Sequence, residues 1–340
     1  MRIAHVADLH LTETPSRSDV PLDEQDEILC RIAEAVNEAE VDRTLISGDC
    51  FDGESTPLSR LVLSRFLHRV APAVVIYGNH DRPVDLDLFE SHGVTIHHAP
   101  EVFAGAIGGY DLAVAPWPRV RNAEGYAAIV KGLRAQCGEK AILLAHCDLV
   151  GAELDGGQDT TGRVDAVISA DDLAEMGWAY CALGHYHKRQ LHPWGGYAGG
   201  IRPMKFGDDA RKGVVIVDLD TGKREEIDCA GYSLVTVDLD ITRDIPLVHG
   251  QTFALKDRVR IRYRVDEENQ TAAYGKAESV ATFLRNHVRS VTIEPEVIPT
   301  VRVRAPEIAA AKTDEDVLRA YLRQAGVKRV EEVCKKAELE

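Results

Sequence analysis

Apolar and polar residues along the first two thirds of the chain follow the order expected of strands and helices in succession. Short, β-branched apolar runs at residues 2–7, 43–47 and 73–77 predict buried strands. Between them, residues 22–40 and 57–70 carry apolar side chains at the spacing of an amphipathic helix. A strand–helix–strand–helix–strand order with polar residues after each strand is typical of an α/β sheet that carries its chemistry at the carboxyl edge.

The same alternation continues to about residue 230. Further strands are predicted at residues 140–145, 179–183 and 213–219, with helices at 123–136 and 171–176. The chain therefore has enough strands for a large sheet or for two sheets that pack together.

Beyond Tyr232 the pattern changes to that of a smaller α+β unit. Strand-like alternation appears at residues 234–239, 258–265 and 291–298, and a helical stretch at 277–288 lies between the second and third. Residues 314–337 are helical by pattern. We predict a main domain over 1–230, an α+β unit over 231–304 and a C-terminal helical segment over 305–340.

The composition is that of a globular protein of ordinary kind. The 340 residues are 45% hydrophobic and 28% charged, enough for one sizeable core and a smaller domain. No apolar run approaches the roughly 20 residues that a membrane helix needs, and the start lacks the features of a signal peptide. The seven cysteines are scattered without a CxxC pair, which suits a reducing compartment. These features predict a soluble, cytoplasmic protein.

The net charge of −15 bears on possible partners. It argues against a protein that coats nucleic acid through its whole surface. It leaves room for an enzyme that acts on nucleic acid, because metal-binding carboxylates add negative charge and bound cations reverse the sign locally. Any nucleic-acid contact must then be a local basic stripe.

Polar groups suited to metal binding follow five separate strand or strand-like ends. They are Asp8, His10, Asp49, Asn79, His80, His146, His185 and His187. Singly, each motif has an ordinary explanation as a turn, a helix cap, a polar loop or a satisfied core histidine. Jointly they predict a two-metal site, because two divalent ions roughly 3.5–4 Å apart need a bridging carboxylate with nitrogen and oxygen ligands on either side. Asp49 is the natural bridge, and ligation rich in imidazole and free of thiolate suits manganese, iron or zinc.

The motifs together resemble a known family. They are D-x-H at 8–10, GD-x-x-D at 48–52, GNHD at 78–81, the lone His146, and GHxH at 184–187. This set resembles the calcineurin-like metallophosphoesterase superfamily, and residues 197–217 are similar to the SbcD-type DNA double-strand-break repair nucleases within it. The resemblance implies an α/β fold, a metallophosphoesterase β-sandwich flanked by helices, with a small α+β capping domain after it.

The resemblance also implies roles for the motif residues and two divalent ions, with Mn²⁺ the expected metal. One ion would be held by Asp8, His10, Asp49 and His187, and the other by Asp49, Asn79, His146 and His185. His80 would face the scissile phosphate and protonate the leaving oxygen, with Asp81 orienting its ring. Two positions depart from the family pattern: Thr12 stands where glycine is usual, and Asp52 stands where archaeal and eukaryotic relatives have histidine.

The activity implied is a metal-dependent DNA nuclease, a 3′→5′ exonuclease with endonuclease activity, in double-strand-break repair or end processing. Its implied partners are DNA, an ABC-type ATPase of the SbcC type and a second copy of the chain. The dimer would use a helix near GNHD with apolar residues Leu58, Leu61, Val62, Phe66 and Leu67, although core packing is the safer interpretation of them. Two alternatives stay open: a small-molecule or nucleotide phosphodiesterase or phosphatase on the same site, and a non-catalytic binding module.

Two basic stretches are candidates for contacting DNA. Residues 258–264 place four arginines on one strand face, and Arg302 with Arg304 repeats the pattern, but pairing with Asp238, Asp240, Glu294 and Glu296 is the alternative. The second stretch lies next to the metal motifs and is expected to contact substrate; it holds Arg202, Lys205, Arg211 and Lys212. The terminal helices either dock an ATPase or pack on their own domain.

Overall fold

The computed structural model describes residues 1–13, 20–82, 85–91, 93–118, 125–153, 166–209, 211–242, 252–298, 313–328, 330–331 and 333. Its α-helices are α1 (Leu22–Glu38), α2 (Pro57–Val70), α3 (Tyr126–Gln136), α4 (Ala170–Glu175), α5 (Gln270–Leu284) and α6 (Asp314–Gln324). Short 3₁₀ turns lie at Asp87–Phe89 and Glu267–Asn269.

Among the described residues, a strand lies at each of the nine positions predicted above, and further strands lie between them. The strands are β1 (Arg2–Val6), β2 (Arg43–Ile46), β3 (Ala73–Ile76), β4 (Val94–His97), β5 (Glu101–Ile107), β6 (Tyr110–Ala115), β7 (Ala141–His146), β8 (Asp148–Val150), β9 (Val167–Ser169), β10 (Tyr180–Gly184), β11 (Gln190–His192), β12 (Gly195–Tyr197), β13 (Gly213–Asp218), β14 (Arg224–Asp228), β15 (Leu234–Asp238), β16 (Arg258–Asp266) and β17 (Ser290–Ile298).

Two six-stranded sheets form the main body. The first has the order β14-β13-β1-β2-β3-β4, and the second has the order β11-β12-β10-β7-β6-β5. Strands β1 to β4 pair in parallel, as do β6, β7 and β10. Parallel strands end at the same edge of their sheet, so the polar residues that follow them are brought side by side.

The two sheets pack face to face and are covered by helices on their outer sides. A core of side chains such as Ile3, Leu45 and Val114 fills the space between the sheets. A second core lies between the first sheet and helices α1 and α2, and a third lies between the second sheet and α3 with α4. Strands buried on both faces read as continuous apolar runs, which is why they were predictable from the sequence. The predicted β-sandwich flanked by helices is confirmed.

Helix α5 is longer than its sequence pattern indicates. The prediction began it at residue 277, whereas the helix starts at Gln270. Its buried stripe begins with Ala273 and Ala277, whose small side chains give a weak periodic signal. No helix among the described residues is long and apolar enough to cross a membrane.

The third sheet, β15-β16-β17, is parallel and packs with α5 around a core of its own. It meets α1 through ion pairs: Arg258 and Arg289 contact the Glu24 carboxylate at 2.8 and 3.3 Å. The Arg258 guanidinium also lies 4.9 Å from the centre of the Tyr232 ring. The separate core accords with the predicted α+β unit, while its boundaries and the role of residues 305–340, many of which lie outside the described residues, remain predictions.

Candidate metal centre

The polar residues that end the central strands of both sheets meet at one edge of the sandwich. Three groups of side chains there have potential ligand atoms within 4.8 Å of one another. They are Asp8 with His10 and His187, His10 with Asp49 and His80, and Asp49 with His146 and His185. The structure therefore brings together the residues predicted as metal ligands.

The first ligand cluster is Asp8, His10 and His187. The Nε2 atoms of His10 and His187 face each other at 2.9 Å. Both Asp8 carboxylate oxygens accept the backbone N–H of His185, at 3.0 and 3.2 Å. Two imidazole nitrogens at this distance need either a proton or a cation between them.

The second ligand cluster is Asp49, Asn79, His146 and His185. The Asn79 Oδ1 atom lies 2.9 Å from His146 Nε2 and 2.9 Å from His185 Nδ1. The other nitrogen of the His146 ring, Nδ1, lies 2.7 Å from the Ser47 carbonyl oxygen. Because that carbonyl can only accept a hydrogen bond, it keeps a proton on Nδ1 and turns Nε2 toward the cluster.

Asp49 joins the two clusters. Its Oδ2 atom lies 3.5 Å from His10 Nε2 and 3.5 Å from His146 Nε2. Its Oδ1 atom accepts the backbone N–H of His80 at 2.8 Å, which fixes the carboxylate. This is the geometry expected of a carboxylate shared by two ions.

The surroundings shift the pKa values of two buried histidines in opposite directions. Burial opposes the charged form of His146, but the Asp49 carboxylate outweighs it and raises the pKa of His146 to about 9. Burial lowers the pKa of His187 well below its usual value, so that ring is neutral. A neutral imidazole is the form that binds a metal, and a divalent cation can replace the proton on His146. The donor set thus fits divalent ions bound by nitrogen and oxygen.

Several of these side chains lie on strained backbone. The φ angles of Asp8, His10, Asp49 and His185 are 52°, 45°, 51° and 118°, values that favour glycine. Left-handed backbone costs roughly 1–2 kcal/mol per residue, so the surrounding structure must impose it. Backbone hydrogen bonds do so in part, since His10 N donates to the Asp49 carbonyl at 2.9 Å.

Gly78, the first residue of GNHD, is required by close packing. A Cβ atom at this position would lie 2.1 Å from the Asp49 Oδ1 atom. Any other residue would therefore displace the carboxylate that joins the two clusters.

His80 lies at the open side of the centre with 43% of its side chain exposed, and its Nδ1 atom is 3.1 Å from Asp52 Oδ1. The expectation that Asp81 orients this ring stays a prediction. Asp81 is buried, and its two carboxylate oxygens accept the backbone N–H groups of Phe51 and Gly78 at 3.1 and 2.9 Å. Asp52, noted above only as a departure from the family pattern, is the carboxylate next to the ring.

Thr12, the other departure, does not disturb the loop. Its backbone is not in the left-handed region, so glycine is not needed there. Gln25 on α1 holds it from both sides: Thr12 N donates to Oε1 at 3.1 Å, and Nε2 donates to the Thr12 carbonyl at 2.8 Å.

Two of the four basic residues expected to contact substrate are buried instead. Arg202 is 1% exposed and donates to the carbonyls of Leu9 and His10 at 2.7 and 2.9 Å. Lys212 is fully buried and donates to the His187 carbonyl at 2.5 Å. Both cations hold the backbone that carries the first ligand cluster, so a direct substrate contact by them is contradicted by their burial.

The other two basic residues lie nearer the surface. Arg211 is exposed and forms an ion pair with Asp209 at 2.5 Å, and Lys205 is half-buried. Their contact with substrate stays a prediction.

The arginines of β16 pair with acids, as the alternative interpretation held. Arg260 contacts Glu294 at 3.1 Å, Arg262 contacts Asp238 at 2.8 Å, and Arg264 contacts Glu296 at 2.8 Å. These are exposed or half-exposed pairs of small energetic value, which a phosphate could displace. Arg302 and Arg304 lie outside the described residues.

The apolar residues of α2 that were considered for a dimer fall into a buried group and an exposed pair. Val62, Phe66 and Leu67 are buried in the core, whereas Leu58 and Leu61 are 56% and 53% exposed. Only the exposed pair remains available to a second chain, and the dimer stays a prediction.

Sequence reasoning missed three neighbours of the second cluster. Ser47 turns the His146 ring, Asp148 lies 3.0 Å from His185 Nε2, and Trp117 stacks on His185 with ring centres 5.0 Å apart. The position of Asp148 two residues after His146 was the one sequence feature that could have indicated its place near the second cluster. Trp117 follows β6, outside every motif.

Known proteins provide an independent comparison. In Aeropyrum pernix, the DNA double-strand break repair protein Mre11 is 26% identical over 297 residues, which is 78% of this chain and 63% of that protein. The chain thus spans less than two thirds of that relative's length. A solved structure, TT1561 of Thermus thermophilus, has 14% identity and a TM-score of 0.43, covering 67% of this chain and 98% of that one.

The family comparison covers the larger part of the chain. The profile of the calcineurin-like phosphoesterases matches residues 1–188, the stretch that carries every motif residue of the centre. Since this is more than half of the 340 residues, the chain belongs to the calcineurin-like phosphoesterase family.

Proposed function

We propose that this chain is a metal-dependent DNA nuclease that hydrolyses phosphodiester bonds in double-strand-break repair or end processing. The observation that carries the proposal is Asp49, whose Oδ2 atom lies 3.5 Å from an imidazole of each ligand cluster. Family membership supports a metal-dependent phosphodiesterase. The similarity to the Mre11 repair protein supports DNA as the substrate.

In this proposal the ligands are those predicted from the sequence. Asp8, His10, Asp49 and His187 would hold one divalent ion, and Asp49, Asn79, His146 and His185 the other. When bound, the ions would supply an activated water and neutralise the phosphoryl oxygens. We take manganese as the metal, because the family resemblance implies it and a donor set of imidazole, carboxylate and amide is compatible with it.

His80 supplies the acid of the proposed reaction. Its ring is part-exposed beside the clusters, where it can donate a proton to the oxygen that leaves phosphorus. The hydrogen bond that the ring donates to Asp52, together with the charges of Asp49 and Asp52, outweighs partial burial and raises the pKa of His80. Asp52 therefore keeps the ring protonated and oriented, which is the state that a general acid needs.

The acid role of His80 gives a pH-dependent prediction for Asp52→Asn. Loss of the carboxylate lowers the pKa of His80, so the acid loses its proton at lower pH. We expect the alkaline limb of the pH–rate profile to move to lower pH when the metal sites are kept saturated. Rate measurements from pH 6 to 10 at saturating Mn²⁺ test this.

Glu54→Gln is the matched control for that experiment. Glu54 belongs to the same segment but is 76% exposed and pairs with Arg82. It should leave the profile unchanged. Identical profiles for Asp52→Asn and wild type would remove the assigned role of Asp52.

The nuclease assignment is tested on defined substrates. End-labelled duplex, hairpin and single-stranded DNA, and a generic phosphodiester, would be incubated with Mn²⁺, Mg²⁺ and Zn²⁺. We expect Mn²⁺-dependent shortening of DNA from its 3′ ends and cleavage at hairpins. Hydrolysis of the generic phosphodiester without any action on DNA would favour the alternative, a small-molecule or nucleotide phosphodiesterase.

That alternative has one specific observation in its favour. The β16 arginines that could contact DNA are already paired with Asp238, Glu294 and Glu296. The third sheet would then serve another purpose than holding a duplex.

The partners proposed for the nuclease are DNA, a second copy of the chain and an SbcC-type ABC ATPase. Among the described residues, the exposed apolar side chains include the pair Leu58 and Leu61 on α2 and the pair Val317 and Tyr321 on α6. We assign the first to the dimer and the second to the ATPase.

A further inference from the structure

His185 is a predicted ligand that lies just beyond the end of its strand. It follows the end of β10 with a φ of 118°, and 15% of its side chain is exposed. His146, by comparison, is the last residue of β7 and is fully buried. The ring of His185 therefore needs contacts from outside its own strand to keep one orientation.

Asp148 supplies such a contact. Its Oδ1 atom lies 3.0 Å from His185 Nε2 and accepts the Tyr186 hydroxyl at 2.7 Å. The Asp148 backbone is itself fixed, because its N–H donates to the Ala166 carbonyl at 2.8 Å within the β8–β9 pair. The carboxylate is thus a rigid acceptor at the outer edge of the ring.

The contact decides which nitrogen of His185 faces the second ligand cluster. A carboxylate at Nε2 holds the ring proton there, so the lone pair lies on Nδ1, which is 2.9 Å from Asn79 Oδ1. In His146 the Ser47 carbonyl does the same to the opposite nitrogen. The two rings thereby present different nitrogens to one point.

The fold alone does not account for this carboxylate. Asp148 is 8% exposed, and its Oδ2 atom is buried without a hydrogen-bond partner among the described residues. A buried, incompletely paired carboxylate is unfavourable unless its charge serves a neighbouring group. The group in contact with it is a predicted metal ligand.

We propose that Asp148 is a positioning residue for the second ion, holding His185 in the orientation and tautomer that bind metal. The inference rests on the two-ion site of the proposed function. Carboxylates that accept the outer N–H of a ligating imidazole orient the ring and make it a stronger ligand. Trp117, stacked on the ring at 5.0 Å, limits the remaining rotation.

The test measures metal affinity rather than activity. Titration calorimetry with Mn²⁺ would be run on the full chain, alongside Co²⁺ absorption spectra, for wild type, Asp148→Asn and Asp148→Ala. We expect two ions in wild type. In both variants the second ion should bind about 10–100-fold more weakly, while the affinity of the first ion should not change. The loss should be larger in Asp148→Ala than in Asp148→Asn.

Two controls accompany the titrations. Asp111→Asn makes the same chemical change at an exposed carboxylate that accepts the backbone N–H of Gly105 and Gly138, and it should leave both affinities unchanged. Tyr186→Phe removes one donor from Asp148 but keeps the carboxylate, and it should have a smaller effect than Asp148→Asn. If Asp148→Ala does not fold, the isosteric Asp148→Asn carries the test.

The outcomes separate this inference from the proposed function. Two ions in wild type with unchanged affinities in Asp148→Asn would overturn the role of Asp148 and leave the two-ion site intact. Equal weakening of both ions would also overturn it, because the contact reaches only the second cluster. A wild-type chain that binds no ion would overturn the proposed function and this inference together.

Discussion

Asp49→Asn is expected to remove metal from both ligand clusters at once. Asp49 Oδ2 lies 3.5 Å from His10 Nε2 and from His146 Nε2, so this one change weakens both sites. Loss of a residue that only supports a ligand typically costs 10–100-fold in affinity or activity. The loss of a shared ligand should therefore reduce DNA hydrolysis by at least about 100-fold.

Metal content and hydrolysis measured on the same samples test this prediction. Elemental analysis after removal of free Mn²⁺ should find well under one ion in Asp49→Asn. Asp111→Asn is the matched control, since it makes the same change at a carboxylate that only accepts backbone N–H groups away from the centre, and it should keep both ions. A variant at Asp49 that retained both ions and most of the activity would contradict the bridging role.

His80→Asn is expected to separate chemistry from metal binding. The ring faces the open side of the centre and contacts Asp52 at 3.1 Å. A positioned general acid contributes typically 10²–10⁴-fold to rate, so kcat should fall by about that factor. Both ions should remain, because neither ligand cluster loses a member.

The measurement for His80 is kcat and KM on a duplex substrate, with metal content determined in parallel. A substrate with a better leaving group needs less protonation, and it should recover part of the lost rate. Loss of an ion in His80→Asn would show that His80 is a ligand, since it also lies within 4.8 Å of His10 and Asp49. Unchanged kcat would remove the acid role.

Much of the fold follows from local patterns in the sequence. Strands β1, β2 and β3 are buried on both faces, so their residues form continuous apolar runs that end at polar motifs. Because parallel strands end at one edge of their sheet, the sequence alone predicts that the motif residues converge there. The alternation of side chains along a strand likewise predicted the arginine face of β16 and the acids that pair with it.

What the sequence did not show depends on contacts between distant segments. Nothing local marks Arg202 as a buried support for the Leu9 and His10 carbonyls, because basic residues near a metal site are as readily surface groups. The position of Asp52 beside His80 was not predicted for the same reason. Asp52 ends the GD-x-x-D motif, and only the loop geometry decides that its carboxylate reaches the ring.

The left-handed backbone at Asp8 and Asp49 was equally out of reach. Local preference disfavours it, and it persists only because the surrounding sheets impose it. Strained, ligand-bearing residues of this kind are where local rules are expected to fail.

Anomalous diffraction from crystals grown with Mn²⁺ tests the two-ion centre most directly. We expect two peaks roughly 3.5–4 Å apart, one on each side of the Asp49 carboxylate. One should be bound by Asp8, His10 and His187, and the other by Asn79, His146 and His185. A single peak, or two peaks that do not share Asp49, would contradict this expectation.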